Sequence, residues 1–217
     1  NQEIVAVLDD AERLVPVARG DVYLPLLQGK VLANMFFENS TRTRMSFETA
    51  MKRLGGSVLN FTSVGTSVAK GETLYDTMQM IDGYADVAAI RHPRQGAAQY
   101  SADAVGIPIL NAGDGAGNHP TQTMLDLFTI RQAHGTLEGL NVVLVGDLRY
   151  GRTVHSLSHA LVRFGAKLTL VSPSTLKMPV EIVSDLREHG SEIMETESLE
   201  DQIAGADVVY VTTVSYT

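Results

Sequence analysis

The chain has 217 residues, of which 44% are apolar and 19% charged, and this balance excludes a disordered protein because the apolar surface can offset chain entropy. The formal net charge of −8 argues against a nucleic-acid-binding protein, which is usually basic. The absence of cysteine excludes disulfides, thiolate metal sites and cysteine nucleophiles, and fits a cytoplasmic location. No apolar run approaches the roughly 18 residues that a membrane-spanning helix needs, so we expect no membrane segment.

Short apolar runs alternate with helical patterns along the chain, which is typical of βαβ units and a parallel sheet. Most of the runs are uniformly apolar, as expected of strands covered on both faces. Apolar residues at helical spacing predict helices over residues 41–54, 74–81, 121–132 and 154–164. The predicted strands are Val31–Phe37, Val58–Phe61, Val87–Ile90, Ile107–Leu110, Val142–Val145, Leu168–Val171, Ile193–Met194 and Val208–Val211.

The polar run His134–Leu140 contains two glycines and is the predicted hinge of the chain. We therefore expect an α/β protein of two doubly wound parallel-sheet domains, residues 1–133 and 134–217. The second domain is predicted to be incomplete, because no helical pattern follows the last strand.

The run FFENSTRTR, residues 36–44, passes from an apolar strand into a helix within a few residues. Asn39 or Ser40 is a natural N-cap. Unpaired first-turn N–H groups and the helix dipole favour an anion there, and the hydroxyls of Ser40, Thr41 and Thr43 and the guanidinium of Arg42 add donors. This pattern predicts a phosphate site, with an ordinary cap and a solvated arginine as the alternative.

Two further runs follow predicted strands. Arg91 opens the run RHP just past Val87–Ile90, and ligands of open parallel sheets bind outside the carboxyl ends of strands. In NAGDGAGNHPTQT, residues 111–123, the glycines permit a close approach of the backbone to a ligand, and His119 and Gln122 flank a helix start. The alternatives are a surface cation for Arg91 and a capping role for His119.

Two polar runs offer more cations. Ser67 and Lys70 lie in TSVAKGET, a loop in which a lysine is usually just solvated. GDLRYGRTVHS, residues 146–156, lacks the dinucleotide pattern G-x-G-x-x-G and fits a P-loop only if Arg152 replaces the lysine. The better interpretation is that Arg149 or Arg152 faces a carboxylate.

Together, these patterns place Arg42, Arg91, His119 and Arg152 at the carboxyl ends of parallel strands. Such a concentration of cations in a chain of net charge −8 predicts a small polyanionic ligand that carries a phosphate.

The runs FFENSTRTR, KGET, RHP, NAGDG…HPTQT and GDLRYGRTVHS, in this order, resemble the catalytic chains of the aspartate transcarbamoylase family, within the wider carbamoyltransferases. The resemblance covers nearly the whole chain. It implies transfer of the carbamoyl group from carbamoyl phosphate to L-aspartate in de novo pyrimidine biosynthesis, without a metal or cofactor. It also implies a homotrimer with shared active sites, and it leaves open regulatory chains or fused domains.

The resemblance assigns roles to the residues already singled out. Arg42, Thr43, Arg91 and His119 would be catalytic, and Arg152 and Lys70 would bind aspartate. Ser67 and Lys70 match a loop that reaches the active site of a neighbouring subunit. The carbamoyl phosphate site would consist of Ser40, Thr41, Arg42, Thr43, Arg91, His119 and Gln122.

One stretch departs from the family pattern. The family has T-R-x-Q after the last strand, whereas this chain has Thr212-Thr213-Val214-Ser215, without the arginine and glutamine. A relative that binds carbamoyl phosphate without turnover therefore remains an alternative, as does the ornithine-specific carbamoyltransferase.

Overall fold

The computed structural model describes residues 1–62, 71–115 and 117–212. The chain forms two compact units. One contains Asn1–Leu8 and Asn118–Thr217, and the other contains Asp9–Gly117. Each unit has its own parallel sheet and its own apolar core, which confirms the predicted α/β class and the doubly wound organisation.

The first helix, α1 (Gln2–Arg13), begins in one unit and ends in the other. The remaining elements of the Asp9–Gly117 unit are α2 (Val15–Arg19), β1 (Val31–Phe36), α3 (Thr41–Arg53), β2 (Ser57–Thr62), α4 (Leu74–Asp82), β3 (Val87–His92), α5 (Ala97–Ala104) and β4 (Ile109–Asp114). The other unit contains α6 (Pro120–His134), β5 (Asn141–Val145), α7 (Arg152–Val162), β6 (Lys167–Val171), a 3₁₀ turn (Ser174–Leu176), α8 (Val180–Glu188), β7 (Ile193–Thr196), α9 (Glu200–Ile203) and β8 (Val208–Val211).

The sheet of the Asp9–Gly117 unit has the strand order β2-β1-β3-β4, and every described pair is parallel. Strand β1 is central and is buried from its second residue to its last, as its apolar sequence VLANMF predicts. Met35, Met78 and Ile90 belong to the core on one face. Because the strands are parallel and in register, their carboxyl ends form a single edge, where Phe36 pairs with Arg91.

Strands β3 and β4 run further than their apolar residues predict. Arg91 and His92 are the last residues of β3, not the start of a loop. The polar run Asn111–Asp114 lies in β4, where Asn111 pairs with Ile90 and Asp114 with His92 across a register shift. The prediction that both runs follow their strands was wrong, because backbone pairing continues past the last apolar side chain.

The second sheet has the strand order β7-β6-β5-β8, again with parallel pairs. Helices α6, α7 and α8 contribute buried leucines to its core, including Leu127, Leu157, Leu161 and Leu186, which are at most 1% exposed. The helices therefore bury most of the two central strands, β5 and β6, whereas the edge strands β7 and β8 stay partly exposed.

The predicted hinge His134–Leu140 is part of one unit. Leu137 and Leu140 are buried in the core that also contains Leu127 of α6. The contacts place α6 in the same unit as β5 to β8, and the units divide between Gly117 and Asn118. The contacts therefore divide the chain at a different place from the predicted hinge, and both the hinge at His134–Leu140 and the domain boundary at residues 133 and 134 stay predictions. None of the helices in the described ranges is both long and apolar enough to cross a membrane.

Candidate active site

The carboxyl edge of the first sheet brings two of the predicted groups together. Strand β1 leads directly into α3, which carries Thr41–Thr43 in its first turn. The neighbouring strand β3 ends with Arg91, whose carbonyl oxygen accepts a hydrogen bond of 2.9 Å from the N–H of Phe37. Ser40–Thr43 and Arg91 therefore lie at one edge of one sheet, as the sequence predicts.

The start of α3 has no side-chain cap and no acidic residue. Ser40 occupies the N-cap position with an extended backbone, but its side chain makes no capping hydrogen bond. The first turn contains Arg42 and no acidic residue. The first-turn N–H groups point along the helix axis towards this end, where the dipole attracts negative charge.

Side-chain hydrogen bonds of Asn34 and Asn60 join α3 to strands β1 and β2. Asn34, in the middle of β1, is fully buried, and its Nδ2 donates to the carbonyl oxygen of Arg44 at 3.1 Å and to Oδ1 of Asn60 at 3.2 Å. Asn60 in turn donates to Glu48 of α3 at 3.0 Å. These bonds fix the position of the helix start relative to the sheet edge.

The guanidinium of Arg91 is held by its surroundings. Its side chain is 13% exposed, and Nε lies 3.3 Å from Oε2 of Glu38. Its Nη1 lies 3.4 Å from the carbonyl oxygen of Ala112 in β4. An arginine fixed in this way offers directed donors and loses little side-chain entropy when it binds an oxygen ligand.

The neighbouring His92 has a different environment. Its Nδ1 accepts a hydrogen bond of 3.0 Å from the N–H of Arg94, and its ring centroid lies 5.0 Å from that of Phe37. Burial lowers the pKa of His92, and the charge of Arg94 lowers it further. A neutral imidazole at this edge does not add to the cationic charge of Arg91.

In the unit of Asn118–Thr217, the starts of α6 and α7 lie side by side. The N–H of His119 donates to Oγ of Ser156 at 3.1 Å, and the Ser156 hydroxyl donates to the carbonyl oxygen of Arg152 at 3.2 Å. His119 is only 6% exposed and precedes Pro120, which suits the first turn of a helix. His119 occupies the N-cap position of α6, although its side chain makes no capping hydrogen bond. The structure thus brings His119 and Arg152 together through one serine.

The loop before α7 is shaped by a buried acid and a glycine. Oδ1 of Asp147 accepts from the N–H groups of Arg149 and Tyr150 at 3.1 and 3.0 Å, which fixes the turn that leads to Arg152. At Gly146 the backbone φ is +124°, and an added Cβ would lie 2.7 Å from the carbonyl oxygen of Thr212. Only glycine permits this approach, which brings the end of β8 beside the loop.

A glycine in the run NAGDG permits a close approach within the chain, and the predicted approach to a ligand stays a prediction. Gly115 has a φ of +54°, and an added Cβ would lie 2.7 Å from the carbonyl oxygen of Pro93 and 2.8 Å from the N of Gln95. The close approach that this glycine permits is therefore to the chain after β3.

Gln122 has a partner that the sequence analysis missed. Its Nε2 donates to Oδ1 of Asp126 one turn later at 2.9 Å, and the Tyr210 hydroxyl of β8 donates to the other carboxylate oxygen at 3.2 Å. Burial raises the pKa of Asp126, whereas the bonds from Gln122 and Tyr210 lower it. The spacing of four residues between Gln122 and Asp126 was the available signal, because such residues meet on a helix surface.

The predicted site residues therefore fall into two groups, Ser40–Thr43 with Arg91 in one unit and His119, Gln122 and Arg152 in the other. Ser67, Lys70 and the run Thr213–Ser215 lie outside the described residues. Within residues 1–62, 71–115 and 117–212, no group of three or more His, Asp or Glu side chains is arranged to hold a metal ion.

Two family models match the chain. The model of the aspartate/ornithine carbamoyltransferase carbamoyl-P binding domain matches residues 1–132, and that of the Asp/Orn binding domain matches residues 138–216. The chain belongs to the aspartate/ornithine carbamoyltransferase family. The two models leave residues 133–137 unmatched, a stretch that contains the last two residues of α6 and the three that follow it.

Several relatives are similar over nearly the whole chain. The aspartate carbamoyltransferase catalytic subunit of Methanothermobacter thermautotrophicus is 53% identical over 214 residues, which are 98% of this chain and 69% of the relative. That of Methanococcoides burtonii is 55% identical over 209 residues, or 96% of this chain and 68% of the relative.

Solved carbamoyltransferase structures share the fold. The catalytic subunit of aspartate transcarbamoylase from M. jannaschii superposes with a TM-score of 0.93 at 48% identity, over 99% of this chain and 71% of that one. The Trypanosoma cruzi enzyme in complex with carbamoyl phosphate and aspartate gives a TM-score of 0.93 at 43% identity, over 98% of this chain and 73% of that one.

Proposed function

We propose that this chain transfers the carbamoyl group of carbamoyl phosphate to the amine of L-aspartate, which yields N-carbamoyl-L-aspartate and phosphate. The observation that carries the proposal is the start of α3, where Ser40–Thr43 and Arg42 adjoin Arg91 at one sheet edge without an acidic residue in the first turn. The names of the relatives support aspartate as the acceptor. The reaction serves de novo pyrimidine biosynthesis.

The phosphate of the substrate binds at the start of α3. The backbone N–H groups of Thr41–Thr43 and the hydroxyls of Ser40, Thr41 and Thr43 donate to its oxygens, and Arg42 neutralises its charge. As the carbon–oxygen bond to phosphate breaks, the leaving group gains negative charge. The same donors stabilise this charge, so they act on the transition state as well as on binding.

The chemical step is an attack of the neutral aspartate amine on the carbonyl carbon of carbamoyl phosphate. The carbonyl oxygen becomes an oxyanion, to which Thr43, Arg91 and His119 donate hydrogen bonds. The tetrahedral intermediate then expels phosphate, which takes up the proton that the amine loses. Gln122 binds the carbamoyl group, and Arg152 binds a carboxylate of aspartate.

Holding two anionic substrates together is a large part of the task. Free carbamoyl phosphate and aspartate repel each other in solution. Arg42 and Arg152 offset that repulsion, one for each substrate, and the remaining barrier falls because the reactants no longer lose translational freedom.

A product assay tests the proposal. The chain is incubated with carbamoyl phosphate and either L-aspartate or L-ornithine, and the carbamoylated product is measured by mass spectrometry. We expect N-carbamoyl-L-aspartate to form well above the uncatalysed background and citrulline not to. Citrulline as the main product would favour the ornithine-specific enzyme, and carbamoyl phosphate binding without either product would favour a relative that does not turn over.

We further propose that the chain functions in the cytoplasm as a homotrimer whose active sites receive Ser67 and Lys70 from a neighbouring subunit, with Lys70 contacting aspartate. The family resemblance of the run KGET supports this arrangement. Regulatory chains remain candidate partners, since the relatives are named catalytic subunits.

A mixing experiment tests the shared site. Lys70→Ala and Arg42→Ala chains, each inactive alone, are mixed, and the composition of the mixed trimers is verified by native mass spectrometry. We expect part of the activity to return, because some interfaces combine an intact Lys70 with an intact Arg42. Verified mixed trimers without activity would contradict a shared site.

A further inference from the structure

A buried carboxylate, that of Asp126, lies in the second turn of α6. Asp126 is 8% exposed, and its neighbour Leu127 is fully buried in the core. A carboxylate in such surroundings costs free energy unless its oxygens are hydrogen-bonded, and an apolar residue would pack there at lower cost. The bonds that Asp126 makes are therefore the feature to explain.

Asp126 fixes the orientation of the Gln122 side chain. Because a carboxylate oxygen accepts, it is the Nε2 of Gln122 that faces Asp126, at 2.9 Å from Oδ1. The amide oxygen Oε1 is then turned to the other side, where it can accept from an N–H of a ligand. Without Asp126, the Gln122 amide could rotate and present either end.

The other carboxylate oxygen ties α6 to two further elements of the same unit. Tyr210 of β8 donates its hydroxyl hydrogen to Oδ2 of Asp126 at 3.2 Å. The Tyr210 oxygen also accepts a hydrogen bond from the Thr153 side chain of α7, which is adjacent to Arg152. One chain of hydrogen bonds thus runs from Gln122 to the first turn of α7.

An exposed pair of the same composition provides an internal reference. On α5, Nε2 of Gln99 donates to Oδ1 of Asp103 at 2.8 Å with the same spacing of four residues. Both side chains are exposed, and neither Gln99 nor Asp103 belongs to the predicted site. The Gln99–Asp103 pair is an ordinary helix-surface contact, whereas the Gln122–Asp126 pair is buried and linked to β8 and α7.

We propose that Asp126 is a positioning residue that orients the Gln122 amide towards the carbamoyl NH₂ group and, through Tyr210, holds it relative to the Arg152 turn. This inference rests on the proposed function, since Gln122 is assigned to carbamoyl phosphate there. Asp126 itself touches no substrate and acts through Gln122.

A double-mutant cycle tests this role. The probe is phosphonoacetamide, a stable analogue that keeps both the phosphonate and the NH₂ group, and its affinity is measured by calorimetry for Asp126→Ala, Gln122→Ala and the double variant. We expect Asp126→Ala to weaken binding about five- to tenfold in the starting chain. In the Gln122→Ala background the same change has no further effect, within about twofold.

Matched variants separate positioning from stability. Asp103→Ala removes the exposed reference pair and leaves affinity unchanged, and Asp126→Asn keeps an acceptor for Gln122 and stays within about threefold of the starting chain. Thermal unfolding of every variant is recorded alongside. If Asp126→Ala does not fold, Asp126→Ser replaces it with the same expectations.

The inference would be overturned by an equal loss of affinity in both backgrounds, by no loss at all, or by a failure of both the alanine and the serine variants to fold. A starting chain that does not bind phosphonoacetamide would also overturn it. A chain that binds the analogue but forms no carbamoyl aspartate would refute the proposed function alone, because the binding cycle still decides the role of Asp126.

Discussion

Two helices of the Asp9–Gly117 unit have a hydroxyl residue at the N-cap, but the hydroxyl group forms a capping hydrogen bond in only one of them. At the start of α4, Oγ1 of Thr73 accepts from the N–H of Asp76 at 3.1 Å and donates to the Asp76 carboxylate at 2.6 Å. At the start of α3, Ser40 makes no such bond, and the first turn contains Arg42 where α4 has an acid. One helix start is capped by its own side chain and the other is not, which fits the anion site proposed at the start of α3.

A cap residue in a sequence therefore does not by itself reveal whether its side chain caps the helix. A closed start contributes to stability, because a first-turn N–H has found a partner within the chain. An open start leaves donors for a ligand, at some cost in stability of the empty protein. An uncapped helix start is not sufficient for an anion site. Helix α8 also has no side-chain cap, but it carries Glu181 in its first turn, where the carboxylate would repel an anion.

The largest expected effect comes from removing the cation at the open start. Arg42→Ala should lower kcat for carbamoyl transfer about 10²- to 10³-fold, the range observed when a single charge-stabilising donor is lost. Arg53→Ala, at the other end of the same helix, should leave kcat within about twofold. Steady-state kinetics with both substrates saturating provide the measurement, and similar losses in the two variants would contradict an anion site at the α3 start.

The next largest effect comes from the two cap residues themselves. Ser40→Ala should raise the KM for carbamoyl phosphate several-fold and change the free energy of unfolding by less than about 0.5 kcal/mol. Thr73→Ala should lower the free energy of unfolding by about 1 kcal/mol, because it removes the closing bond of α4. Urea denaturation and kinetics on both variants check the contrast, and a larger stability loss at Ser40 than at Thr73 would reverse the interpretation.

Strand positions were predictable because burial on both faces requires apolar runs, and all eight predicted strands are present in the described ranges. The ends of β3 and β4 were not, since Arg91, His92 and Asn111–Asp114 join the ladder through backbone bonds that side-chain polarity does not reveal. Helix α5, with the sequence AAQYSADA, was missed because its small side chains make no apolar stripe.

The site itself was predictable where a motif marks the end of a strand, as at Ser40–Thr43 and Arg91. The supporting contacts were not. Asp126 and Tyr210 are 84 positions apart in sequence, and only the fold brings them together. Likewise, no pattern in the sequence indicates that Ser156 joins His119 to the start of α7.

The smallest effect is expected at the buried residue Asp126, where a substitution should change how stability depends on pH. Burial raises the pKa of Asp126 above its ordinary value in the folded state, so its contribution to stability is present at low pH and is lost as the pH rises through the raised pKa. Asp126→Asn does not titrate, and its stability relative to the starting chain should therefore increase between about pH 4 and about pH 7.

Urea denaturation across that pH range measures the difference in free energy of unfolding between Asp126→Asn and the starting chain. Asp103→Asn, at an exposed position, is the control, and its difference in free energy of unfolding should not change with pH. If the stability of Asp126→Asn relative to the starting chain falls with increasing pH, the hydrogen bonds of Asp126 lower its pKa more than burial raises it.

Titration of inorganic phosphate into the ¹⁵N-labelled protein, followed by backbone amide chemical shifts, tests whether the start of α3 binds an anion. We predict the largest saturable shifts at Thr41, Arg42 and Thr43 of α3, with no comparable shifts at Leu74, Tyr75 and Asp76 of α4. Equal shifts at the two helix starts, or none at α3, would mean that the start of α3 is not a specific anion site.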